Sequence, residues 1–200
     1  MKKAILFLFL MLSIDAYADN DPEVKLVYGD VSSIVSTGEM LIEFNFENTY
    51  VEHKPLNEYL KSRGDDFVRD FPEETEFSNL YFTANFNKKN DSGIKLVETS
   101  SSAKYKMIVY VDSLDMGNGG STFVPFASNK AGGVIMWGYI AIIEIATGNE
   151  ALEISFDNIK GQSHVAEKIR RGLANLELQK RLIKLLEKGG TGTGTPRYEK

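Results

Sequence analysis

The residues best suited to chemistry in this sequence are two histidines and a few closely spaced acids. His53 follows a predicted strand, and His164 lies in the first turn of the last predicted helix. Neither has the His-x-His, HExxH or facial-triad spacing of a metal site, so we interpret both as surface histidines. Asp112 and Asp115 lack the alternating carboxylates and later glutamate of a calcium loop. We therefore predict no metal, no cofactor and no nominated catalytic residue, and we expect a protein without enzymatic activity.

Serine and glycine motifs give no stronger signal for catalysis. No G-x-S-x-G elbow is present. Residues 117–122 (GNGGST) invite comparison with a phosphate-binding loop, but that loop must open onto a helix amino terminus. Here the chain continues into Phe123-Val124-Pro125-Phe126, which is not a helical pattern. We interpret the segment as a strand connector.

The same connector contains the best candidates for recognition. Residues 116–133 form a long glycine-rich loop that carries Phe123, Val124 and Phe126, and Trp137 opens the strand after it. Apolar side chains on a long loop often mark a partner or membrane contact. They could equally fold back as a lid that completes the core. We take these four residues as the predicted partner-binding set.

The amino terminus has the order of a secretory signal peptide. Lys2 and Lys3 precede an apolar stretch over 4–14, and Ala16-Tyr17-Ala18 supplies a small-x-small cleavage pattern. We expect residues 1–18 to be a signal peptide that is cleaved after Ala18. The short lysine-charged start looks bacterial, so the periplasm or the exterior is the expected location. With no cysteine in the sequence, we expect neither a disulfide nor a lipid anchor.

Composition and charge narrow the function classes further. The chain has 200 residues, of which 42% are hydrophobic and 26% charged, as in ordinary globular proteins. The sequence contains no run of 18 or more apolar residues, so it predicts no transmembrane helix. The net charge of −5 argues against general nucleic-acid binding. A basic stretch over 160–188 could seek acidic partners, but we favour the interpretation that it is the solvated face of a C-terminal helix packed on an acidic body.

Hydrophobic periodicity predicts strands followed by helices, then more strands and a last helix. Period-two alternation or apolar runs predict strands over 24–35, 40–53, 94–98, 103–114, 134–146 and 151–159. Leu56, Tyr59 and Leu60 suggest a first helix with Gly64 as a possible break, and Pro72 stops this helix or starts a new turn. Phe77, Leu80, Tyr81 and Ala84 recur at helical spacing and predict a second helix over about 73–87. Ser163 is suited to cap a final helix that runs to about Lys188.

This order predicts an α+β fold with a single, mainly antiparallel sheet. Two helices precede most of the sheet, and a long C-terminal helix packs on one of its faces. We expect an N-terminal arm or edge strand over 19–37, one domain over 38–188 and a flexible tail over 189–200, because the tail has almost nothing to bury.

Residues 38–188 resemble a known family of small envelope domains. A helix pair precedes the Ala103-Lys104-Tyr105 strand, and Thr147-Gly148 forms a hairpin before the returning strand and the last helix. This order is similar to the small α/β domain of the TolB amino-terminal, penicillin-binding-protein activator and curli secretion subunit type. The resemblance implies a non-catalytic domain that works through protein contacts.

We therefore predict an exported, periplasmic protein that acts as a protein-binding or assembly module for another envelope protein. A small cell-envelope enzyme or ligand-binding protein with an unidentified acidic site is the alternative. A structural subunit docked through its arm or tail is a third reading. A pocket with converging carboxylates would favour an enzyme, and an exposed apolar patch would favour a binding module.

Overall fold

A computed structural model describes residues 22–116, 134–161 and 167–197, with side chains of the last helix described from Gly172 onward. The chain forms nine strands and three α-helices in this part. The strands are β1 (Glu23–Asp30), β2 (Gly38–Asn45), β3 (Tyr50–Val51), β4 (Lys54–Pro55), β5 (Ile94–Val97), β6 (Tyr105–Asp115), β7 (Ile135–Glu144), β8 (Glu150–Lys160) and β9 (Thr191–Thr193). The helices are α1 (Leu56–Arg63), α2 (Asp65–Lys89) and α3 (Glu167–Lys188).

The strands form one mixed sheet in which antiparallel pairs predominate. Its main path is β4-β3-β6-β7-β8-β1-β9, and β2 pairs with β6 and β5 beside this path. The β5, β2 and β6 strands are parallel, as are β3 and β6, whereas every other neighbouring pair is antiparallel. The α+β fold with a mainly antiparallel sheet is therefore confirmed.

The main core lies between one face of the sheet and the helices. Alternate residues of the central strands point into it, as period-two alternation requires. Phe82 of α2 is fully buried and meets Phe44 of β2 edge to face, with ring centroids 5.3 Å apart. Leu178 and Leu182 of α3 belong to the same buried cluster. The helices α2 and α3 therefore cover the same face, which we call the helix side.

Helix α2 runs through Pro72 instead of ending there. The break falls at Gly64, whose φ of +119° is accessible to glycine and rarely to other residues. Pro72 cannot donate the hydrogen bond that an amide would give to the carbonyl of Val68. Both residues are exposed, so water can solvate that carbonyl. The predicted boundary at Pro72 is wrong, because a solvent-facing proline costs this helix one hydrogen bond without ending it.

The predicted flexible tail needs a correction as well. Thr191–Thr193 form β9, which pairs with Tyr28–Asp30 of β1. The backbone approaches so closely that a Cβ on Gly192 would lie 2.5 Å from the carbonyl carbon of Val27. The segment thus adds to the sheet through backbone hydrogen bonds and the absence of side chains, which hydrophobicity does not detect. By the same pairing, β1 has neighbours on both sides over Tyr28–Gly29.

Candidate functional site

Among the described residues, three exposed large hydrophobic side chains lie close together on α2. Phe77, Leu80 and Tyr81 are 71%, 46% and 48% exposed. The rings of Phe77 and Tyr81 stack on each other with an interplanar angle of 5° and centroids 6.4 Å apart. We call these three side chains the α2 patch. Solvated aromatic side chains clustered on one helix face are typical of a contact surface.

The patch lies opposite the side through which α2 packs. Ser78, Phe82 and Phe86 are the buried residues of the helix. At 100° per residue, their mean direction lies about 150° around the helix from that of Phe77, Leu80 and Tyr81. The helix is therefore apolar on two faces, and the sheet covers only one of them.

Charges are distributed unevenly along the exposed side of α2. Asp66, Asp70 and Glu73 precede the patch on the same helical face, and Lys88 follows it. Arg69 forms ion pairs with Asp66 and Asp70, with N–O distances of 2.8 Å in both cases. These groups are largely solvated, so their pairing is weak and open to exchange.

A groove of about 470 Å³ runs along the flank of α2 next to β2. It is lined mainly by apolar atoms, and its two carboxylates belong to Glu76 and Glu98. The lining residues are Ile42, Phe44, Phe71, Pro72, Thr75, Glu76, Asn79, Thr83 and Glu98. The groove adds apolar surface beside the patch.

The opposite face of the sheet carries a second, smaller apolar cluster. Ile108, Ala141 and Ile143 are buried there, beside half-buried Tyr110 and Tyr139 whose rings stack 4.6 Å apart. We call this face of the sheet the helix-free side. Trp137 lies on it by alternation with Tyr139 along β7, and it is half-buried.

Arg197, in the C-terminal segment, lies on the helix-free side against a buried acid. Glu153 of β8 has a fully buried side chain, and its Oε2 accepts a 2.5 Å hydrogen bond from the backbone amide of Arg197. Arg197 Nε lies 3.1 Å from the other oxygen, Oε1, an ion-pair distance without hydrogen-bond alignment. The guanidinium also lies 5.0 Å from the ring centre of Tyr139 and 3.7 Å from Asp112 Oδ2. We call this set the Arg197 clasp.

Electrostatics within the clasp are shaped by partial burial. Desolvation raises the pKa of Asp112, an effect that Arg197 opposes and Glu153 reinforces. Desolvation also raises the pKa of Tyr139, with the charges of Asp112 and Glu153 acting in the same direction. Because Arg197 engages both acids, the cluster is suited to holding the chain terminus on the sheet.

The structure describes only one residue of the predicted partner-binding set. Trp137 lies at the start of β7, whereas Phe123, Val124 and Phe126 lie outside the described residues. His53 is exposed near α1, and His164 also lies outside. Within the described residues, no group of three or more His, Asp or Glu side chains could hold a metal ion. None of the described helices is long and apolar enough to cross a membrane.

Sequence reasoning missed the α2 patch and the Arg197 clasp for different reasons. Phe77, Leu80 and Tyr81 predict the helix correctly, but they are the solvent-facing side of it. The signal that could have identified the patch is the second aromatic series, Phe82 and Phe86, on another face of the same helix. For the clasp, an isolated glutamate within an apolar strand offers the corresponding hint, since a buried acid requires a partner.

The chain matches no protein-family model and no curated protein. Among solved structures, the chain is similar to the PelC dodecamer from Paraburkholderia phytofirmans, with a TM-score of 0.44 and 12% identity over 82% of this chain and 98% of that chain. A single-residue variant of the same dodecamer gives a TM-score of 0.40 and 10% identity, covering 79% of this chain and 95% of that one.

Proposed function

We propose that the chain is an exported bacterial envelope protein that acts as a non-catalytic protein-binding or assembly module. The observation that carries this proposal is the α2 patch, in which Phe77 exposes 71% of its surface to solvent. Three solvated apolar side chains on one helix face favour a macromolecular contact over a small-molecule reaction centre.

The distribution of carboxylates supports a binding module over an enzyme. Asp112 and Glu153, which lie against the same guanidinium, are both engaged by Arg197 on the helix-free side. The groove beside α2 is lined mostly by apolar atoms, and Glu76 and Glu98 are its two acids. Catalysis by a pair of acids needs both to converge on a substrate in a cleft. An apolar groove beside an exposed aromatic patch is better suited to a macromolecular contact than to acid catalysis.

Export is a separate part of the proposal and rests on the sequence alone. Lys2, Lys3, the apolar stretch 4–14 and the Ala16-Tyr17-Ala18 motif support it. Fractionation of bacteria that produce the chain should recover it from the periplasm, with a mature amino terminus at Asp19. Recovery from the cytoplasm with residues 1–18 still attached would contradict this part of the proposal.

The binding role can be tested by photo-crosslinking in intact cells. A photoreactive amino acid at Phe77 should give adducts with protein in the envelope fraction. The same probe at Ile145, an apolar residue in the turn after β7 with the same 46% exposure as Leu80, is the matched control. Equal adduct yields at the two positions, or none at either, would contradict a contact surface on α2.

The predicted loop residues define a second surface for the same experiment. Trp137 lies on the helix-free side, away from α2, and we propose that it forms a partner contact together with Phe123, Val124 and Phe126. Replacing Trp137 with alanine should reduce adducts formed from a probe at Phe126 and leave those from Phe77 unchanged. Unaltered yields from Phe126 would leave the loop set without support.

A further inference from the structure

The charge pattern of α2 indicates what kind of partner covers its patch. Before Phe77 the exposed face carries the carboxylates of Asp66, Asp70 and Glu73, of which Arg69 pairs with the first two, so this end is net negative; the other end carries Lys88. An anionic lipid surface would be repelled by this net negative charge beside the patch. A complementary partner needs a basic group at one end, an apolar centre and an acidic segment at the other end. Another α2 helix in the reverse direction has this pattern.

We propose that two copies of the chain associate through α2, antiparallel about a two-fold axis near Asn79. This inference rests on the proposed binding function and names its partner. With the axis at Asn79, Phe77 of one copy lies opposite Tyr81 of the other, so the two stacked aromatic pairs meet. A two-fold axis makes every contact occur twice, which lets a self-complementary face pair with itself.

The same register matches the charges. Lys88 lies as far after Asn79 as Asp70 lies before it, so each Lys88 faces the partner's Asp70. Each Glu73 faces a neutral residue, Asn85, on the other copy. In a parallel pair, Asp66, Asp70 and Glu73 would instead face their own copies, and like charges opposite each other are unfavourable. The charge pattern therefore selects the antiparallel arrangement.

The rest of the fold leaves this face available. Helix α3 packs on the flank of α2 that contains Ser78, close to Gly172, and the groove lies on the other flank. The centre of the 25-residue helix coincides with the patch. At 1.5 Å per residue, α2 presents about 37 Å of length to a partner. Helices that pack along such a length meet through the side chains of one face, as the patch and its flanking charges require.

Disulfide trapping of the purified chain tests the register directly, because the sequence contains no cysteine of its own. Leu80→Cys lies next to the proposed axis and should form a covalent dimer under mild oxidation. Asp70→Cys and Lys88→Cys should not dimerise separately, but an equimolar mixture of the two should give the mixed dimer. Self-dimers of Asp70→Cys and Lys88→Cys without a mixed product would indicate a parallel pair and overturn the proposal.

Charge exchange supplies a second test that does not depend on oxidation. In sedimentation velocity, Asp70→Lys or Lys88→Asp alone should weaken self-association by about 2- to 30-fold, since each change breaks two exposed ion pairs. The two changes together should restore it. Lys184→Glu, an exposed change on α3, is the control. Circular dichroism of each variant separates lost association from lost folding.

Failure of the inference and failure of the proposed function give different results. If the purified chain stays monomeric at every concentration while the probe at Phe77 captures a different envelope protein, the function stands and self-association is wrong. If the probe at Phe77 gives no adduct above the Ile145 control and no dimer forms, both are wrong. A dimer that is unaffected by charge exchange and is not trapped through Leu80→Cys overturns the α2 interface.

Discussion

Replacing Arg197 with alanine should destabilise the fold, although the residue lies three positions from the end of the sequence. The reason is Glu153, whose side chain is fully buried and has its charge balanced by the Arg197 guanidinium at 3.1 Å. Burying a carboxylate without a compensating charge is costly, because protein interiors solvate ions poorly. Alanine keeps the backbone amide that donates to Glu153 Oε2 and removes only the side chain.

The magnitude follows from the three contacts that the guanidinium loses. Breaking a fully buried ion pair costs about 3–5 kcal/mol, which is the upper bound for the contact with Glu153; the cation–π contact with Tyr139 is worth about 0.5–1 kcal/mol, and the pair with half-exposed Asp112 between about 0 and 1 kcal/mol. Arg197 is itself 49% exposed, so water replaces part of these interactions. We expect a net loss of about 2 kcal/mol in the free energy of unfolding, or about 4–8 °C in Tm for a domain of this size.

Urea unfolding followed by circular dichroism measures this loss. Deleting residues 197–200 also removes the amide donor and should cost more, about 4 kcal/mol. Lys180→Ala is the control, because its ion pair with Glu177 is exposed at 3.6 Å and should contribute less than about 0.5 kcal/mol. A double-mutant cycle with Glu153→Gln should give a coupling energy of at least about 1 kcal/mol. If Arg197→Ala unfolds like Lys180→Ala, the clasp does not stabilise the fold.

Three further changes test electrostatics, packing and backbone approach. Because burial raises the pKa of Asp112, the folded state favours the protonated form of this carboxyl group, and native stability falls as pH rises through that raised value. Asp112→Asn should therefore be more stable than the parent near pH 7. In a pH series of urea titrations, this difference should vanish below pH 3.8. Phe82→Ala empties a fully buried site and should cost about 3–5 kcal/mol, whereas Ile145→Ala at an exposed turn should cost less than about 1 kcal/mol in the same assay. Gly138→Ala would place a Cβ 2.0 Å from the carbonyl oxygen of Tyr110, so β6 and β7 must separate locally. We expect the free energy of unfolding to fall by at least about 2 kcal/mol. A Tm within 1 °C of the parent would contradict this expectation.

The sheet could be predicted because the apolar pattern of each central strand shows which of its residues are buried. Met107, Val109 and Val111 alternate on the helix side of β6, and the apolar run of β7 is long enough to identify a central strand. Pairing is harder to predict, since alternation fixes which face a residue occupies and does not fix the neighbouring strand. The parallel pairing of β2 with β6, through helices of the intervening chain, therefore needed the structure.

Candidate contact residues could be proposed from the sequence only where an apolar pattern marks them. A lone tryptophan next to an apolar loop is conspicuous in the sequence, so Trp137 could be proposed from hydrophobicity, and its partner contact stays a prediction. The α2 patch was not, because periodicity reports that a helix has an apolar face without saying whether a sheet or a partner covers it. The clasp depends on one residue, Arg197, that lies 44 positions from Glu153 in the sequence. The alternating threonines and glycines of residues 191–194 gave no sign that this segment adds a strand to the sheet.

The two candidate surfaces lie on opposite sides of the sheet, and this has a consequence for assembly. The α2 patch belongs to the helix side, whereas Trp137 belongs to the helix-free side next to the Arg197 clasp. A second copy bound at α2 would leave the helix-free side uncovered, so both contacts can form on one molecule. Phe77→Ser should therefore abolish self-association and preserve capture through the loop set, and Trp137→Ala should have the reverse effect. If either change abolishes both contacts in folded protein, the two surfaces do not act independently, and a single shared interface must replace them.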